Sequence, residues 1–125
     1  LFASLTGIMN THVGTSRDES GLQSAIEQLA DLEAATEKLH LDDNSRLFNT
    51  NLLEALRLKA GIRLAKATTY SAISRTESRG THQRTDFEEA DSKQLHHTLV
   101  DNQGNTSTLA IRKGGPTTWV LSPDA

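Results

Sequence analysis

Apolar residues recur at helical spacing through three successive stretches of the chain, and the period then changes to alternation. Leu1, Phe2, Leu5, Ile8 and Met9 predict a short helix over residues 1–10, broken by His12-Val13-Gly14-Thr15-Ser16. Leu22, Ile26, Leu29, Leu32, Ala35 and Leu39 then form one amphipathic stripe. Ser20 and Gln23 have capping-box spacing at its start, with Asp18 as the other candidate cap. Asp18 and Glu19 at the beginning, and Lys38 and His40 at the end, complement the helix dipole. A polar turn, Asp42-Asp43-Asn44-Ser45, leads to a third helix. Asn49 suits its N-cap, and Phe48 before it is placed to pack on Leu53 as a hydrophobic staple. This helix is expected to run to about Ser78, burying Leu52, Leu53, Leu56, Ala60, Leu64, Ala67 and Ile73. Arg57, Lys59, Arg63 and Lys66 make its other side basic, as a solvated face does. Gly61 costs about 1 kcal/mol relative to Ala in a helix interior and would admit a close helix crossing.

Gly80 is the expected stop, because glycine adopts the left-handed conformation of a C-terminal cap without strain. Beyond it Leu95, His97 and Leu99 alternate, as do Leu109 and Ile111, around the turn-forming Asp101-Asn102-Gln103-Gly104-Asn105. A β-hairpin follows from this, ended by Gly114-Gly115-Pro116, with Thr117–Leu121 as one more extended segment. The predicted fold is mainly α. A three-helix, bundle-like domain over residues 1–92 is followed by a β-hairpin and tail over 93–125 of the same domain.

Composition sharpens this picture. Hydrophobic residues make up 35% and aromatics 4%, lean for a self-sufficient core and suited to a module completed by a partner surface. A net charge of −3 argues against nucleic acid as a partner. Without cysteine, the chain itself offers no disulfide, zinc thiolate or cysteine-ligated iron–sulfur cluster. No apolar run reaches the roughly 20 residues of a membrane span, so direct membrane insertion is not expected. The chain opens on Leu1 with no charged region before its apolar start, so a signal peptide is not expected and a fragment boundary is the simpler reading. His12, His40, His82, His96 and His97 have no recognised metal-ligand spacing, and no metal site is expected.

The densest chemistry lies at the exit of the third helix. Arg75, Glu77, Arg79, His82, Arg84 and Asp86 surround Gly80. Arginines suit a helix C-terminus, whereas Glu77 there faces the negative end of the dipole and needs a cation from Arg79, Arg84 or another surface. Fork-like donors and acceptors at this density fix a loop or a domain contact through bidentate bonds. No glycine-rich phosphate cradle accompanies them, so a docking or capping role is expected in preference to catalysis.

The run Arg75-Thr76-Glu77-Ser78-Arg79-Gly80-Thr81-His82-Gln83-Arg84-Thr85-Asp86 resembles the Arg-x-Glu-Ser-Arg-Gly-x-His-x-Arg-x-Asp pattern of succinate dehydrogenase and fumarate reductase flavoproteins. His96-His97-Thr98-Leu99 stands where that family shows Lys-His-Thr-Leu, and Phe48-Asn49-Thr50-Asn51-Leu52-Leu53 is similar to its Phe-Asn-Thr-Asp-Leu-Leu. Met9, Val13-Gly14, Arg17 and Gly21-Leu22 resemble the start of the same C-terminal domain. Phe87-Glu88-Glu89-Ala90-Asp91 keeps the acids of the family's Pro-Glu-Arg-Asp-Asp segment but lacks its proline and arginine. L-aspartate oxidase is similar around Glu77–His82, and Gln83-Arg84 with Thr98-Leu99 tilts the likeness toward the succinate/fumarate branch.

The resemblance implies a structural C-terminal domain, inactive by itself, packed on the FAD domain of a longer parent chain that interconverts succinate and fumarate. It implies FAD in the parent and none bound by this piece, with electrons passing to an iron–sulfur subunit. It places the protein in the cytoplasm, peripheral on the inner face of the cell membrane through partner subunits. The family's flavin-attachment histidine, proton-shuttling arginine and dicarboxylate-binding residues lie outside the matched region, so no catalytic, cofactor or metal residue is assigned here. Arg75, Glu77, Arg79, His82, Arg84 and Asp86 are carried forward as domain-docking residues. A free-standing interaction module using the basic third helix, and a C-terminal fragment of an L-aspartate oxidase, are the competing expectations.

Overall fold

A computed structural model describes residues 1–41, 45, 47–114 and 118–121, with side chains described as far as Ile111. Three helices, α1 (Phe2–His12), α2 (Glu19–Thr36) and α3 (Thr50–Ser74), pack together around one core. Leu22, Ala25, Leu29 and Leu32 of α2 meet Leu58, Ile62, Ala65 and Ala72 of α3, with Ile8 and Val13 closing one side. Fully burying such a leucine or isoleucine contributes about 1.5–3 kcal/mol. Leu5 of α1 lies over Gly61, where a Cβ would come within 3.2 Å of its Cδ2, so this glycine does admit the close crossing.

The starts of α2 and α3 each have a side-chain cap. Asp18, not Ser20, caps α2, its Oδ1 accepting from the Gly21 amide at 2.7 Å. Asn49 caps α3 through the Leu52 amide at 2.8 Å. The expected staple does not form, because Phe48 is 98% exposed and sits at φ 53°. The turn residues Asp42, Asp43 and Asn44 lie outside the described residues. Helix α2 closes at Thr36, so Lys38 and His40 lie beyond it, while Ala35 and Leu39 are exposed and Thr36 is buried in their place.

The largest departure from the sequence pattern concerns α3. Its buried face is Leu58, Ile62, Ala65, Thr69 and Ala72, whereas the expected Leu52, Leu53, Leu56 and Leu64 are exposed. At about 100° per residue the two stripes lie on opposite sides of the helix. Both are apolar, and only contact with α1 and α2 decides which is covered. Two of the expected basic residues face α2, Lys59 pairing with Glu37 at 3.2 Å and Lys66 with Glu33 at 2.8 Å.

The helix also ends earlier than its residues suggest, at Ser74, with Arg75 extended at φ −95° and ψ 102°. Gly80 has the expected positive φ, +59°, but for another reason. It opens a two-residue turn in which Arg79 and His82 exchange backbone bonds of 2.8 and 3.0 Å.

Two small sheets follow. Strand β1 (Ser16–Arg17) pairs in parallel with β2 (Gln83–Arg84), tying the α1–α2 connection to the chain beyond α3. A short 3₁₀ turn, Ser92–Gln94, leads to β3 (His96–Val100). Strand β3 is antiparallel to β4 (Thr106–Gly114), which pairs in turn with β5 (Thr118–Leu121). The hairpin is therefore present, and the extra extended segment joins it as a third strand. Asp101 organises the turn, its Oδ1 accepting from the amides of Gln103 and Asn105 at 2.8 and 2.9 Å. Gly104, at φ +88°, lies against Tyr70 of α3, whose ring would be 2.6 Å from a Cβ there. Gly115 and Pro116, expected to end the hairpin, lie outside the described residues.

Candidate functional site

The six singled-out residues form two adjacent ionic knots. The first is centred on Glu77, which is completely buried. Arg79 grips it with a fork, Nε to Oε1 at 3.0 Å and Nη2 to Oε2 at 2.8 Å. Arg75 Nη1 also donates to Oε1, and the Asp91 amide donates to Oε2 at 2.7 Å. The remaining donors of these arginines bind backbone: Arg75 reaches the carbonyls of Gln94 and His96, and Arg79 that of Asp91. Glu77 thus fastens the segment after α3 to the start of the β-region. Its cations are Arg79 and Arg75, and because α3 has already ended, Glu77 does not face the helix dipole.

The second knot is centred on Arg84, also buried. Its Nε and Nη2 fork onto Asp86 at 2.7 and 2.6 Å, and Nη2 also meets Glu19 Oε2 at 2.8 Å. Nη1 takes the carbonyls of Ala72 and Ile73 at 3.1 and 3.4 Å. These belong to the last turn of α3, whose carbonyls lack intrahelical donors. Asp86 Oδ2 accepts from the Glu19 amide, the first of α2, at 3.0 Å. One guanidinium therefore joins the C-terminus of α3, the N-terminus of α2 and the loop that follows α3, and this is why α3 stops without a glycine. Phe87 covers it, with the ring centroid 5.0 Å from Cζ. Ser78 bridges beneath, accepting from the Arg84 amide at 2.8 Å and donating to the Phe87 carbonyl at 2.7 Å.

The electrostatics follow from this pairing. Hydrogen bonds from Arg79 hold Glu77 down to about 2 despite its burial, and those from Arg84 hold Asp86 at about 2. Arg79 and Arg84 are raised by the same bonds. His82 is lowered, first by burial and then by the charges of Arg17, Arg84 and Arg75. Its Nε2 lies 3.2 Å from the Arg75 carbonyl, an acceptor, so this nitrogen carries the proton of a neutral ring. Glu77 and Asp86 are thereby held in their ionised form, and Arg79 and Arg84 in their protonated form. The arrangement suits mechanical fastening, and it lacks a group poised to exchange a proton near neutrality. No three His, Asp or Glu side chains among the described residues converge as metal ligands.

All six expected residues are brought together, Arg75, Glu77, Arg79 and His82 in one knot and Arg84 with Asp86 in the other. Glu19, Ser78, Asp91 and Gln94 complete the knots and were not singled out from sequence. Glu19 lies 65 residues from Arg84, and nothing local to it signals the pairing.

A second surface has the opposite character. Leu52, Leu53, Leu56 and Leu64 of α3 are open, as are Leu47 and Phe48 just before it. No helix among the described residues is long and apolar enough to cross a membrane.

Comparison with known proteins matches residues 3–123 to the family model described as fumarate reductase flavoprotein C-term. The chain is 38% identical over 125 residues to the fumarate reductase flavoprotein subunit of Haemophilus influenzae, covering 94% of this chain and 21% of that protein. It is 37% identical over 98 residues to the succinate dehydrogenase flavoprotein subunit of Coxiella burnetii, covering 78% and 17%. Among solved structures, Escherichia coli quinol fumarate reductase superposes with a TM-score of 0.76 at 33% identity, over 84% of this chain and 19% of that one. The chain spans about a fifth of the length of the curated relatives it matches.

Proposed function

The chain belongs to the family of fumarate reductase flavoprotein C-terminal domains, and we propose that it serves as the structural C-terminal domain of a longer flavoprotein subunit. In this reading the parent binds FAD, interconverts succinate and fumarate, and delivers or receives electrons through an iron–sulfur subunit. The parent is placed in the cytoplasm, on the inner face of the cell membrane through its partner subunits. Residues 1–92 and 93–125 act as one unit, since Arg75 of the first part holds the carbonyls of Gln94 and His96 in the second.

The observation that carries the reading is the open face of α3. Four leucines lie on a helix whose opposite side already fills the core, and Leu64 is 70% exposed. An apolar stripe of this kind marks an interaction surface. The rest of the parent chain is the surface that would cover it. The knots act in docking by holding the loop rigid. Glu77 and Arg84 are buried and shape it, whereas Arg79 is exposed enough to meet a neighbour as well.

In this reading the α2 N-terminus of this chain does not hold FAD. A pyrophosphate needs free amides at a helix N-terminus, and the first amides of α2 are already taken by the carboxylates of Asp86 and Asp18. These charges would repel it. The flavin is assigned to the remainder of the parent, and no step of its chemistry is drawn through these side chains.

Purification of the complete gene product tests the proposal. It should carry the yellow absorbance of FAD and reduce fumarate with a reduced dye. Arg79→Ala should lower flavin retention more than Lys59→Ala. A complete product without flavin would overturn the reading and favour an independent interaction module.

A further inference from the structure

We infer that Arg17 is a socket for a carboxylate side chain contributed by a part of the parent polypeptide outside residues 1–125. The inference rests on the reading of the chain as one domain of a longer flavoprotein.

Strands β1 and β2 run parallel with Arg17 in register with Arg84, so both side chains leave the same face of the ladder. Their fates differ. Arg84 has Asp86 on its Nε and Nη2 edge, Glu19 beside it and two carbonyls on Nη1. Arg17 is half-buried, and its Nε is shut off from solvent with no hydrogen-bond partner. It makes no ion pair among the described residues.

The acids nearby are committed elsewhere. Asp18 accepts from the Gly21 amide and the Ser20 hydroxyl, Glu19 from Arg84 and Gln23, and Asp86 from Arg84 and the Glu19 amide. Arg84 adds positive charge on the same side and His82 only a neutral ring, and Arg17 is pushed downward by burial and by Arg84. An arginine desolvated beside another arginine, without an anion, is an unfavourable arrangement to leave uncompensated.

The form of the missing partner can be read from the neighbouring residue. Asp86 satisfies Arg84 by a fork; the Nε of Arg17 is covered by this chain's own atoms, so a docked carboxylate would meet the terminal Nη1 and Nη2 of that guanidinium. Arg17 lines an open polar cavity of about 440 Å³ together with Ser16, Asp18, Ser20, Ser24 and Thr85. The hydroxyls of Ser16, Ser24 and Thr85 can take up the outer lone pairs of a carboxylate, Ser20 being committed to Asp18. Asp18 on the same wall disfavours a doubly charged phosphate, so a single carboxylate is the better fit. Relatives about five times as long place most of the parent's surface outside this chain, and a docked Asp or Glu from there is the occupant.

The test uses the complete flavoprotein. R17K replaces the guanidinium with an amine that a zero-length carbodiimide can couple to a touching carboxylate, and mass spectrometry locates the link. The Lys59–Glu37 pair, at 3.2 Å, is the internal positive control. We expect an amide link from position 17 to an Asp or Glu outside residues 1–125. Coupling only to Asp18, Glu19 or Asp86, or none while the control couples, overturns the socket. R17M should release flavin roughly tenfold faster or more, the scale of one charge-assisted hydrogen bond, and wild-type release overturns the proposal. Acetate or phosphate at constant ionic strength should leave thermal stability of the wild type unchanged. A rise that R17M abolishes would mean a dissolved anion fills the site, which also overturns it. Loss of the underlying domain reading is distinguishable, because then the complete product would lack flavin whatever residue stands at position 17.

Discussion

The two ends of α3 solve opposite problems. Around its C-terminus the chain concentrates arginines and acids, and these are closed on one another, with Glu77 and Arg84 buried. Along its N-terminal half the chain displays leucines, and these are left open. The charged end, which is chemically the more eye-catching, is internal architecture, while the plain apolar stripe is the surface that still lacks a cover. The difference follows from what each group requires. A fully buried charge left without a partner in the fold is strongly destabilising, whereas an apolar face can wait for a second body at modest cost.

The sharpest way to break the comparison is at Glu77. Glu77→Ala leaves Arg75 and Arg79 without their anion at a buried position and is expected to destabilise the loop by about 3–5 kcal/mol. Amide exchange at Ser78 and Asp91 in the complete protein reads this directly, and native protection there would show that the knot does not close the loop. Arg84→Lys keeps the charge but loses the fork, with an expected cost of about 2–3 kcal/mol. Protection at the amides of the last turn of α3 and at Glu19 should fall together, because one side chain serves both helices.

Acid should act on the same end. Glu77 and Asp86 titrate at about 2, below their ordinary values of 4.5 and 3.8. Groups lowered on folding stabilise the fold above the unfolded pKa, and that stability is lost as pH falls toward the folded one. The loop is therefore expected to open between about pH 5 and pH 2, while the leucine face, having no titrating group, keeps its helix longer. Exchange or backbone spectra followed along a pH series would reveal simultaneous loss if the two regions were one cooperative unit.

The leucine face should behave in the reverse manner. Leu53→Asp with Leu56→Asp is expected to alter the domain's own stability by no more than about 0.5 kcal/mol, as exposed substitutions do. It should nevertheless weaken flavin retention in the complete protein. Unchanged retention would remove this surface from the docking reading. Lys59→Ala breaks an exposed pair with Glu37 and should cost less than about 1 kcal/mol in thermal unfolding.

Much of the fold was legible without coordinates. Periodicity located all three helices, Asn49 its cap, and the change to alternation the hairpin, because these signals act over one or two turns of chain. The motif around Gly80 also marked the right residues for the knots. Three things were not legible. The covered side of α3 is hidden because both its faces are apolar. The end of α3 at Ser74 is hidden because its carbonyls are satisfied by Arg84, ten residues further on, and not by a local glycine. Phe48 was misplaced because a staple needs the preceding residue folded back, and here it sits at positive φ facing outward.

Sequence by itself determined the three helices, the hairpin, the Asn49 cap, the charged motif and the family. It could do so because helix and turn preferences are local and because the motif keeps its order along the chain. Tertiary structure alone decided which face of α3 is buried, which acid meets which arginine, and that Arg17 is left without one. Those outcomes depend on groups tens of residues apart arriving at the same place, and pairing at a distance leaves no mark in local pattern.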